Sequence, residues 1–421
     1  MGKSQISDPP NLKKYGVPFY SVAWIPHRVL KSRHNQTSDE SSAADQSSTP
    51  TKEAEPPTEE LASGNYLVFA GGGGEGRSGI PNTVLLSHFD VASNSLSDQP
   101  VNKLGTGSEL PYRMALHPNG DGIICAMPNS CRWFDWDQDQ NSESHKVGLK
   151  TSEKELTQLQ DVGQQLALAF SSDGTELAVG GEDGNLRVFK WPSMEIILNE
   201  SKSHSTVKDL HFSSDGKLLV SLGSGGPCRV WDISSSIVLT SLPNENRETF
   251  SCCRFSQISD GTQVLYIAVV TDKGGSILTW NTKTWERMSS KHITRDTISA
   301  LNVSADGKYL AWEGCDFLFA RTYCFCFDGL TCSGTPSGDI VVVNSTNMRI
   351  HTMVKRAHLG IVTALAFSPD SRALASISLD SSARVTKIEE KKEGGFNLWI
   401  AMFIILVAIA IYFLKVQGIL K

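Results

Sequence analysis

The sequence predicts an all-β fold, a seven-bladed β-propeller followed by a single C-terminal transmembrane helix. A self-similar unit of about 43 residues, with apolar and polar residues alternating inside it, predicts the blades. An uncharged apolar run near the C-terminus of the 421-residue chain predicts the helix. These observations place a large repeat domain in front of one membrane segment.

Four copies of the unit are clear, and they begin at Leu166, Val207, Ile298 and Val362. Each copy has a short alternating strand, an S-x-D-G-type turn, a second strand, a turn containing Gly or Asp, and a third strand. Turns of this kind between alternating strands predict antiparallel β-meanders. The aromatic residues before the first turn, Phe170, Phe212 and Phe255, are 42 and 43 residues apart.

Together with the unit that contains Phe255, two weaker copies bring the number of units to seven. They lie at residues 114–136 and at residues 19–26 together with 65–74. The repeat length, the strand count and the dipeptide Trp231-Asp232 fit a WD-repeat β-propeller, although most units lack the Trp-Asp pair. Asp183 and Asp380 occupy positions where such repeats place a turn-stabilising aspartate, so we expect a structural role for both.

The propeller is predicted to span residues 1–390. Residues 31–63 are rich in Ser, Thr, Glu and Pro, which predicts a disordered loop. Residues 391–397 would be a linker, 398–414 the membrane anchor, and 415–421 a short lumenal tail.

Residues 313–333 interrupt the repeat pattern. Val303 and Phe367 are 64 residues apart where about 43 are expected, and the excess of 21 can be localised to this stretch. It holds four cysteines and five aromatic residues without a propeller pattern. An exposed loop this apolar would favour aggregation, so a retained intron or alternative exon is preferred over a genuine loop. Sequencing the transcript decides between them.

The apolar run from 398 to 414 has 17 residues, which span roughly 25 Å as a helix. Trp399 and Tyr412 lie near its ends, as interfacial aromatic residues do. A buried core helix is the alternative, but such a helix would show a polar face. Because only seven residues follow the run, we expect a tail anchor with the propeller in the cytosol.

Composition disfavours several other functions. A net charge of −6 gives no reason to expect a nucleic acid or anionic lipid as partner. None of the nine cysteines forms a C-x-x-C pair, which disfavours a zinc site. No nucleophile or carboxylate motif surrounds the histidines, so bond-making catalysis is not expected. These histidines are His88, His117, His204, His211 and His358.

The stretch GGGGEGRSGI at residues 71–80 almost matches a phosphate-binding P-loop, with Arg77 where Lys belongs, and it also matches G-x-G-x-x-G. A P-loop opens a helix, whereas the alternating stretch TVLLSHFDV follows this one and predicts a strand. The segment therefore joins two strands of one blade. It is either a surface hairpin or a loop whose exposed backbone coordinates a hard cation or contacts another protein.

With its tail anchor, its propeller and the segment GGGGEGRSGIPN in the first blade, the chain resembles the Sec-twelve family. YGVPFYSVAWIP at residues 15–26 is similar to the opening strand of that family. The resemblance implies a guanine-nucleotide exchange factor of the endoplasmic reticulum (ER) membrane. Such a factor loads the Sar-type small GTPase with GTP and starts COPII coat assembly and ER-to-Golgi transport. The residues GIPN at positions 79–82 and the Ser/Pro-rich loop at 31–63 resemble those of the plant branch of the family.

The resemblance also implies a site and partners. The GTPase-contacting segment, here called the glycine loop, comprises Gly71, Gly72, Gly73, Gly74, Glu75, Gly76, Arg77, Ser78, Gly79, Ile80, Pro81 and Asn82. In the family this loop binds a potassium ion. Backbone carbonyls of Gly71, Gly72, Gly73 and Gly74 would be its ligands here, with Asn82 either ordering the loop or serving as a further ligand. Other members tend to have Lys near Arg77, whose shape differs. Cargo transporters or coat components are further partners.

Two other functions compete with nucleotide exchange. Plant paralogues in the family look like non-catalytic adaptors for the ER exit of phosphate transporters. A scaffold that uses only the propeller surface is the general alternative for a WD-repeat protein. Retention of the complete GGGGEGRSGIPN segment favours exchange, because an adaptor needs no such loop.

Overall fold

The computed structural model describes residues 8–26, 65–74, 76, 78–137, 147–224, 226–245, 247–257, 261–315, 338–389, 406, 407 and 409. It divides into two compact units, residues 1–387 and 388–421. The predicted loop 31–63, linker 391–397 and tail 415–421 lie outside the described residues, as does the predicted insertion from residue 316 onwards.

The first unit is a ring of seven antiparallel sheets, so the predicted all-β propeller is confirmed. The chain opens with β1 (Leu12–Lys14). Blade 1 holds β2 (Phe19–Trp24), β3 (Asn65–Gly71), β4 (Asn82–Asp90), β5 (Ser95–Leu96) and β6 (Asn102–Gly107). Blade 2 holds β7 (Arg113–Leu116), β8 (Ile123–Ala126), β9 (Cys131–Asp137) and β10 (Gly148–Thr151).

A 3₁₀ turn (Thr157–Leu159) precedes blade 3. Blades 3 and 4 hold β11 (Gln165–Phe170), β12 (Glu176–Gly181), β13 (Leu186–Lys190), β14 (Glu195–Glu200), β15 (Val207–Phe212), β16 (Leu218–Gly223), β17 (Cys228–Asp232) and β18 (Ile237–Leu242). Blades 5 to 7 hold β19 (Thr249–Gln257), β20 (Gln263–Thr271), β21 (Gly274–Asn281), β22 (Arg287–Thr294), β23 (Thr297–Val303), β24 (Tyr309–Cys315), β25 (Asp339–Asn344), β26 (Ile350–Val354), β27 (Val362–Phe367), β28 (Ala373–Ser378) and β29 (Ser382–Lys387).

The ring closes through β1, which completes the last blade. Leu12 and Lys14 pair with Arg384 and Ser382 of β29, so blade 7 is built from both ends of the domain. Sequence reasoning missed this strand because three residues, LKK, carry no alternation. The closure joins blades 7 and 1, and the indole of Trp24 donates to the Ala366 carbonyl across the same joint at 2.9 Å.

Apolar side chains from neighbouring blades pack together to form the core. Between blades 7 and 1, Phe19 and Phe69 are buried beside Ile377 and Val385. Burial of this kind follows from period-2 alternation, which directs every second side chain to the same face of a sheet. Similar clusters lie between successive blades from blade 1 to blade 6, and they hold the sheets that carry the loops.

Polar networks inside the blades confirm the structural aspartates. In blade 3, Asp183 accepts hydrogen bonds from the Asn185 amide at 3.2 Å and from Arg187 at 2.6 Å. In blade 7, Asp380 accepts from the backbone N–H of Leu359 at 2.7 Å and of Ser382 at 3.0 Å. Both side chains therefore hold turns.

His204 of blade 4, which is half-buried, and His358 of blade 7, which is buried, have structural partners. His204 and the Trp231 indole both contact the Ser221 hydroxyl at 2.9 Å. In blade 7, His358 lies between the hydroxyls of Ser376 and Ser382. Burial lowers the pKa of His204 and of His358 to about 4, so both rings are neutral near pH 7.

Strand β24 extends three residues into the predicted 313–333 insertion. Glu313 pairs with Ile340 and Gly314 with Asp339, so the strand runs on before the chain leaves the described residues at Cys315. In the second unit, the described residues Leu406, Val407 and Ile409 are helical. Within the described part of the chain, no helix is long and apolar enough to cross a membrane. The anchor at 398–414 therefore stays a prediction.

Candidate functional site: the glycine loop of blade 1

The glycine loop connects β3 to β4, the second and third strands of blade 1. Gly71 is the last residue of β3 and pairs with Thr83, while Asn82 begins β4. The prediction that two strands of one blade flank the segment is confirmed, and the P-loop alternative is excluded because no helix follows. Glu75 and Arg77 lie outside the described residues.

We call the end of the propeller at which this loop lies the loop end. Asn82, the first residue of β4, pairs with Gly107, the last residue of β6, so the connection from blade 1 to blade 2 lies at the same end. Successive blades repeat this antiparallel order. All second-to-third strand connections and all blade-to-blade connections therefore meet at the loop end.

Asn82 is the anchor of the loop. Its side-chain oxygen accepts from the Gly74 N–H at 3.0 Å, and its Nδ2 donates to the Gly74 carbonyl at 3.0 Å. The same Nδ2 donates to the Gly107 carbonyl at 3.1 Å. The residue is only 3% exposed. A neutral amide can donate and accept at once, so one buried side chain fixes both polar groups of Gly74.

The first three glycines are required by close packing. A Cβ on Gly71 would lie 2.0 Å from the Pro18 carbonyl oxygen, and one on Gly72 would lie 2.1 Å from the Asn82 Oδ1. At Gly73 a Cβ would lie 2.0 Å from the Ser78 hydroxyl. The Gly72 N–H also donates to the Pro18 carbonyl at 3.0 Å. No side chain fits here unless the loop moves.

The second half of the loop folds back on the first. The Ser78 hydroxyl donates to the Gly73 carbonyl at 3.2 Å and accepts from the Ile80 N–H at the same distance. Ile80 packs against the apolar cluster between blades 7 and 1, and Pro81 is exposed. Gly76 and Gly79 have φ values of +61° and +71°, which disfavour other residues. The described residues of the segment form a hairpin.

The oxygens of this site are neutral. The Gly73 carbonyl accepts from Ser78, the carbonyls of Gly74 and Gly107 accept from Asn82, and no carboxylate is among the described hydrogen bonds of the hairpin. Carbonyl donors suit a hard cation of low charge. Because its Nδ2 faces two carbonyls, Asn82 orders the loop and does not need to be a ligand. Gly71 is the last residue of β3, and Gly72, Gly73 and Gly74 follow it in the loop.

Sequence reasoning missed the two backbone partners of the loop. Pro18 and Gly107 are distant in sequence from the groups that they bind, at 54 residues from Gly72 and 25 residues from Asn82. The YGVPFY stretch containing Pro18 offered a signal, since a proline next to a strand fixes the backbone direction. For Gly107 the sequence carries no comparable signal, because its role depends only on its carbonyl.

The histidines outside the networks of blades 4 and 7 also make structural contacts. His117 packs edge-on against Phe170 at 5.0 Å between ring centroids, and its Nε2 lies 3.0 Å from the Gly174 carbonyl. His211 accepts from the Phe255 N–H, and burial lowers its pKa to about 3. His88 packs against Tyr66. None of these histidines contacts the glycine loop among its described hydrogen bonds.

Comparison with known proteins agrees with this fold. The family of the WD domain, G-beta repeat, matches residues 159–190, 197–232 and 348–386. The blades and their Asp- and His-centred networks thus define a WD-repeat β-propeller, one that carries an extended glycine loop in its first blade.

Similar proteins identify a family within this class of propellers. SEC12-like protein 2 of Arabidopsis thaliana is 46% identical over 94% of this chain and 93% of its own length. SEC12-like protein 1 of the same plant is 31% identical over 78% and 77%. The guanine nucleotide-exchange factor SEC12 of Rattus norvegicus is 24% identical over 83% and 92%. The chain belongs to the SEC12-like family, which confirms the resemblance seen in its sequence.

Proposed function

We propose that this protein is a guanine-nucleotide exchange factor for the Sar-type small GTPase at the ER membrane, where it starts COPII vesicle formation. The observation that carries the proposal is the complete glycine loop, ordered by Asn82 in the first blade. The rat relative is named a guanine nucleotide-exchange factor, which supports the same function. Exchange makes and breaks no covalent bond, so the absence of a catalytic motif in the sequence fits this activity.

The mechanism requires differential binding. A partner shifts an equilibrium only if it binds one state better than another, so the chain must prefer the nucleotide-free GTPase. The glycine loop would insert beside the nucleotide-contacting segments of the GTPase and weaken their contacts with Mg²⁺ and phosphate. Its bare backbone can approach closely at Gly74, Gly76 and Gly79, where a Cβ would meet no other part of the chain within 4 Å. Asn82 lowers the cost of binding by holding the loop in one conformation beforehand.

We further propose that the hairpin takes up potassium. A monovalent cation would supply positive charge to the loop, with carbonyls of Gly71, Gly72, Gly73 and Gly74 as its ligands. The neutral oxygen set around Asn82 supports this chemistry.

The predicted anchor at 398–414 would hold this activity at the ER. Activation at a membrane lets an amphipathic helix of the GTPase insert where coat is needed. A chain ending at Gly394 should lose ER targeting in cells, as fluorescence microscopy of a tagged protein would reveal. Targeting that persists would contradict the anchor.

Nucleotide exchange on a purified Sar-type GTPase, followed by its tryptophan fluorescence, tests the function. The full chain in detergent micelles should accelerate exchange, and more so in potassium than in sodium buffer. Gly73→Asp should abolish the acceleration, because its Cβ alone would lie 2.0 Å from the Ser78 hydroxyl. Gly105→Ala is the control, since a Cβ there meets nothing within 4 Å.

Absence of acceleration by the wild-type chain would overturn the exchange function. The protein would then act as a non-catalytic traffic adaptor, and binding to cargo transporters would be the next measurement. Equal rates in potassium and sodium would reject the cation alone.

A further inference from the structure

Leu359 is an unusually exposed apolar side chain. It lies in the connection between β26 of blade 6 and β27 of blade 7, and it is 72% exposed. Among the large hydrophobic side chains of the described residues, it has the highest exposed fraction. A leucine exposed this far keeps most of its apolar surface in water, so its position calls for an explanation.

The backbone holds Leu359 in this exposed position. Its N–H donates to Asp380 at 2.7 Å, and Asp380 is itself fixed by the Ser382 N–H at 3.0 Å. The preceding residue, His358, is buried between two serine hydroxyls. At the following residue, Gly360, a Cβ would lie 3.0 Å from the Asp380 nitrogen. Leu359 is therefore presented by a rigid turn that cannot fold it inward.

Contiguous contacts connect this turn to the glycine loop. The Leu379 N–H donates to the Ile361 carbonyl at 3.1 Å, which joins the two connections of blade 7. The Tyr15 N–H then donates to the Ser381 carbonyl at 3.1 Å. Residues 15–18 run from that contact to the Pro18 carbonyl, which accepts from Gly72. Both features therefore lie at the loop end, on adjacent blades.

Apolar neighbours extend the exposed surface. Ile361, two residues after Leu359, and Leu379, which donates to the Ile361 carbonyl, are half-buried, and Ile80 is half-buried within the glycine loop. Lys355 and Arg356 are exposed at the start of the same connection. An apolar centre with a charged rim is the usual anatomy of a protein interface, and a rigid anchor residue is typical of its centre.

We infer that Leu359, Ile361 and Leu379, which we name the blade 7 ridge, form a second contact with the GTPase that the glycine loop engages. The ridge inserts Leu359 into an apolar depression on the GTPase bordered by acidic residues, which would complement Lys355 and Arg356. The inference rests on the proposed exchange function. The ridge contributes binding affinity for the GTPase, and the glycine loop displaces the nucleotide.

The test uses binding and exchange together. The full chain in detergent micelles is titrated against nucleotide-free Sar-type GTPase, and exchange is measured on the GDP-bound form. Leu359→Ala should weaken binding about tenfold, and Leu359→Asp should weaken it more, because a carboxylate would enter an apolar, acid-bordered depression. Exchange at saturating concentrations of the chain should stay within about twofold of wild type, since the loop is intact.

Ile237→Asp is the matched control, because Ile237 is 58% exposed on β18, an outermost strand of blade 4. It should bind like the wild type, and all variants should keep the wild-type melting temperature. If Leu359→Asp binds the GTPase and accelerates exchange as Ile237→Asp does, the blade 7 ridge is not a contact site for the GTPase. The exchange function would still be supported. If the wild-type chain itself fails to bind the GTPase, the exchange function and the ridge both fall.

Discussion

The glycine loop of blade 1 and the corresponding turn of blade 7 are held by different kinds of side chain, an amide in blade 1 and a carboxylate in blade 7. Both connect the second and third strands of a blade at the loop end. In blade 7 the turn 379–381 is short, and the Asp380 carboxylate gathers the N–H groups of Leu359 and Ser382. In blade 1 the connection is longer, and the Asn82 amide binds the N–H and the carbonyl of Gly74.

The difference follows from what each side chain can do. A carboxylate only accepts, so Asp380 can fix backbone donors but no carbonyl. An amide also donates, so Asn82 can hold carbonyl oxygens in place near one another. Burial alone would raise the pKa of Asp380, but hydrogen bonds from Ser382 and Leu359 bring it below its ordinary value. The anchor of the glycine loop has no proton to lose at any ordinary pH.

Asn82→Asp replaces the amide that holds the glycine loop with a carboxylate, and this substitution should have the largest effect on exchange. The variant replaces a buried donor with an oxygen that faces the carbonyls of Gly74 and Gly107. Two lost hydrogen bonds and a buried charge should cost about 3–5 kcal/mol locally, enough to release the loop. We expect GTPase exchange to fall at least 100-fold, measured by tryptophan fluorescence.

Asn344→Asp is the control for that substitution. The Asn344 oxygen accepts from the N–H groups of Thr346 and Asn347, and an aspartate can do the same. Exchange should therefore be unchanged in this variant. Wild-type exchange by Asn82→Asp would show that the amide donor is not needed.

Glu313 extends the comparison to a buried carboxyl group at the loop end whose hydrogen bonding is incomplete. It accepts from the Ser299 hydroxyl, but among the described residues its Oε1 has no hydrogen-bond partner. Burial raises its pKa to about 7. The native state therefore binds a proton that the unfolded state has released between about pH 4.5 and pH 7. Stability from this group is highest below pH 4.5 and falls as pH rises to about 7.

Glu313→Gln should remove that part of the pH dependence. The wild-type chain should lose about 2–3 kcal/mol of unfolding free energy between pH 4.5 and pH 8 through this group, and the variant should not. Urea unfolding at several pH values measures the difference. Glu195→Gln, at an exposed position on β14, is the control. Equal slopes in wild type and Glu313→Gln would contradict a buried, proton-binding Glu313.

Asp380→Asn should have a smaller effect of about 1–2 kcal/mol. The amide oxygen can still accept from the Leu359 N–H. The amide NH₂ group would then face the Ser382 N–H, and because both groups are donors, that hydrogen bond would be lost. We expect a melting temperature a few degrees lower, measured by circular dichroism, and weaker GTPase binding as the blade 7 ridge loosens. Unchanged melting would indicate that the turn is held by its backbone alone.

The fold was largely readable from the sequence, whereas the site was only partly so. The repeat length predicts the blades, and Asp183 and Asp380 follow from their position in each repeat. The long-range partners of the glycine loop do not, because Pro18 and Gly107 contribute carbonyl groups that every residue has. Glu313 was assigned to an insertion, since the pattern ends at Trp312, but β24 continues through it. Pairing with Ile340 decides its place, and pairing is a tertiary property.

The smallest effect is expected at the joint between blades 7 and 1. Lys13 of β1 contacts Asp98 at 2.5 Å, and the Asp98 side chain is 85% exposed. Exposed ion pairs contribute about 0–1 kcal/mol, so Asp98→Ala should change unfolding free energy by no more than about 0.5 kcal/mol. The joint depends instead on backbone pairing of β1 with β29 and on the buried cluster around Phe19 and Ile377. Urea unfolding at low and high salt checks this. A loss above 1 kcal/mol at low salt would mean that charge, and not the closing strand, holds the two compared blades together.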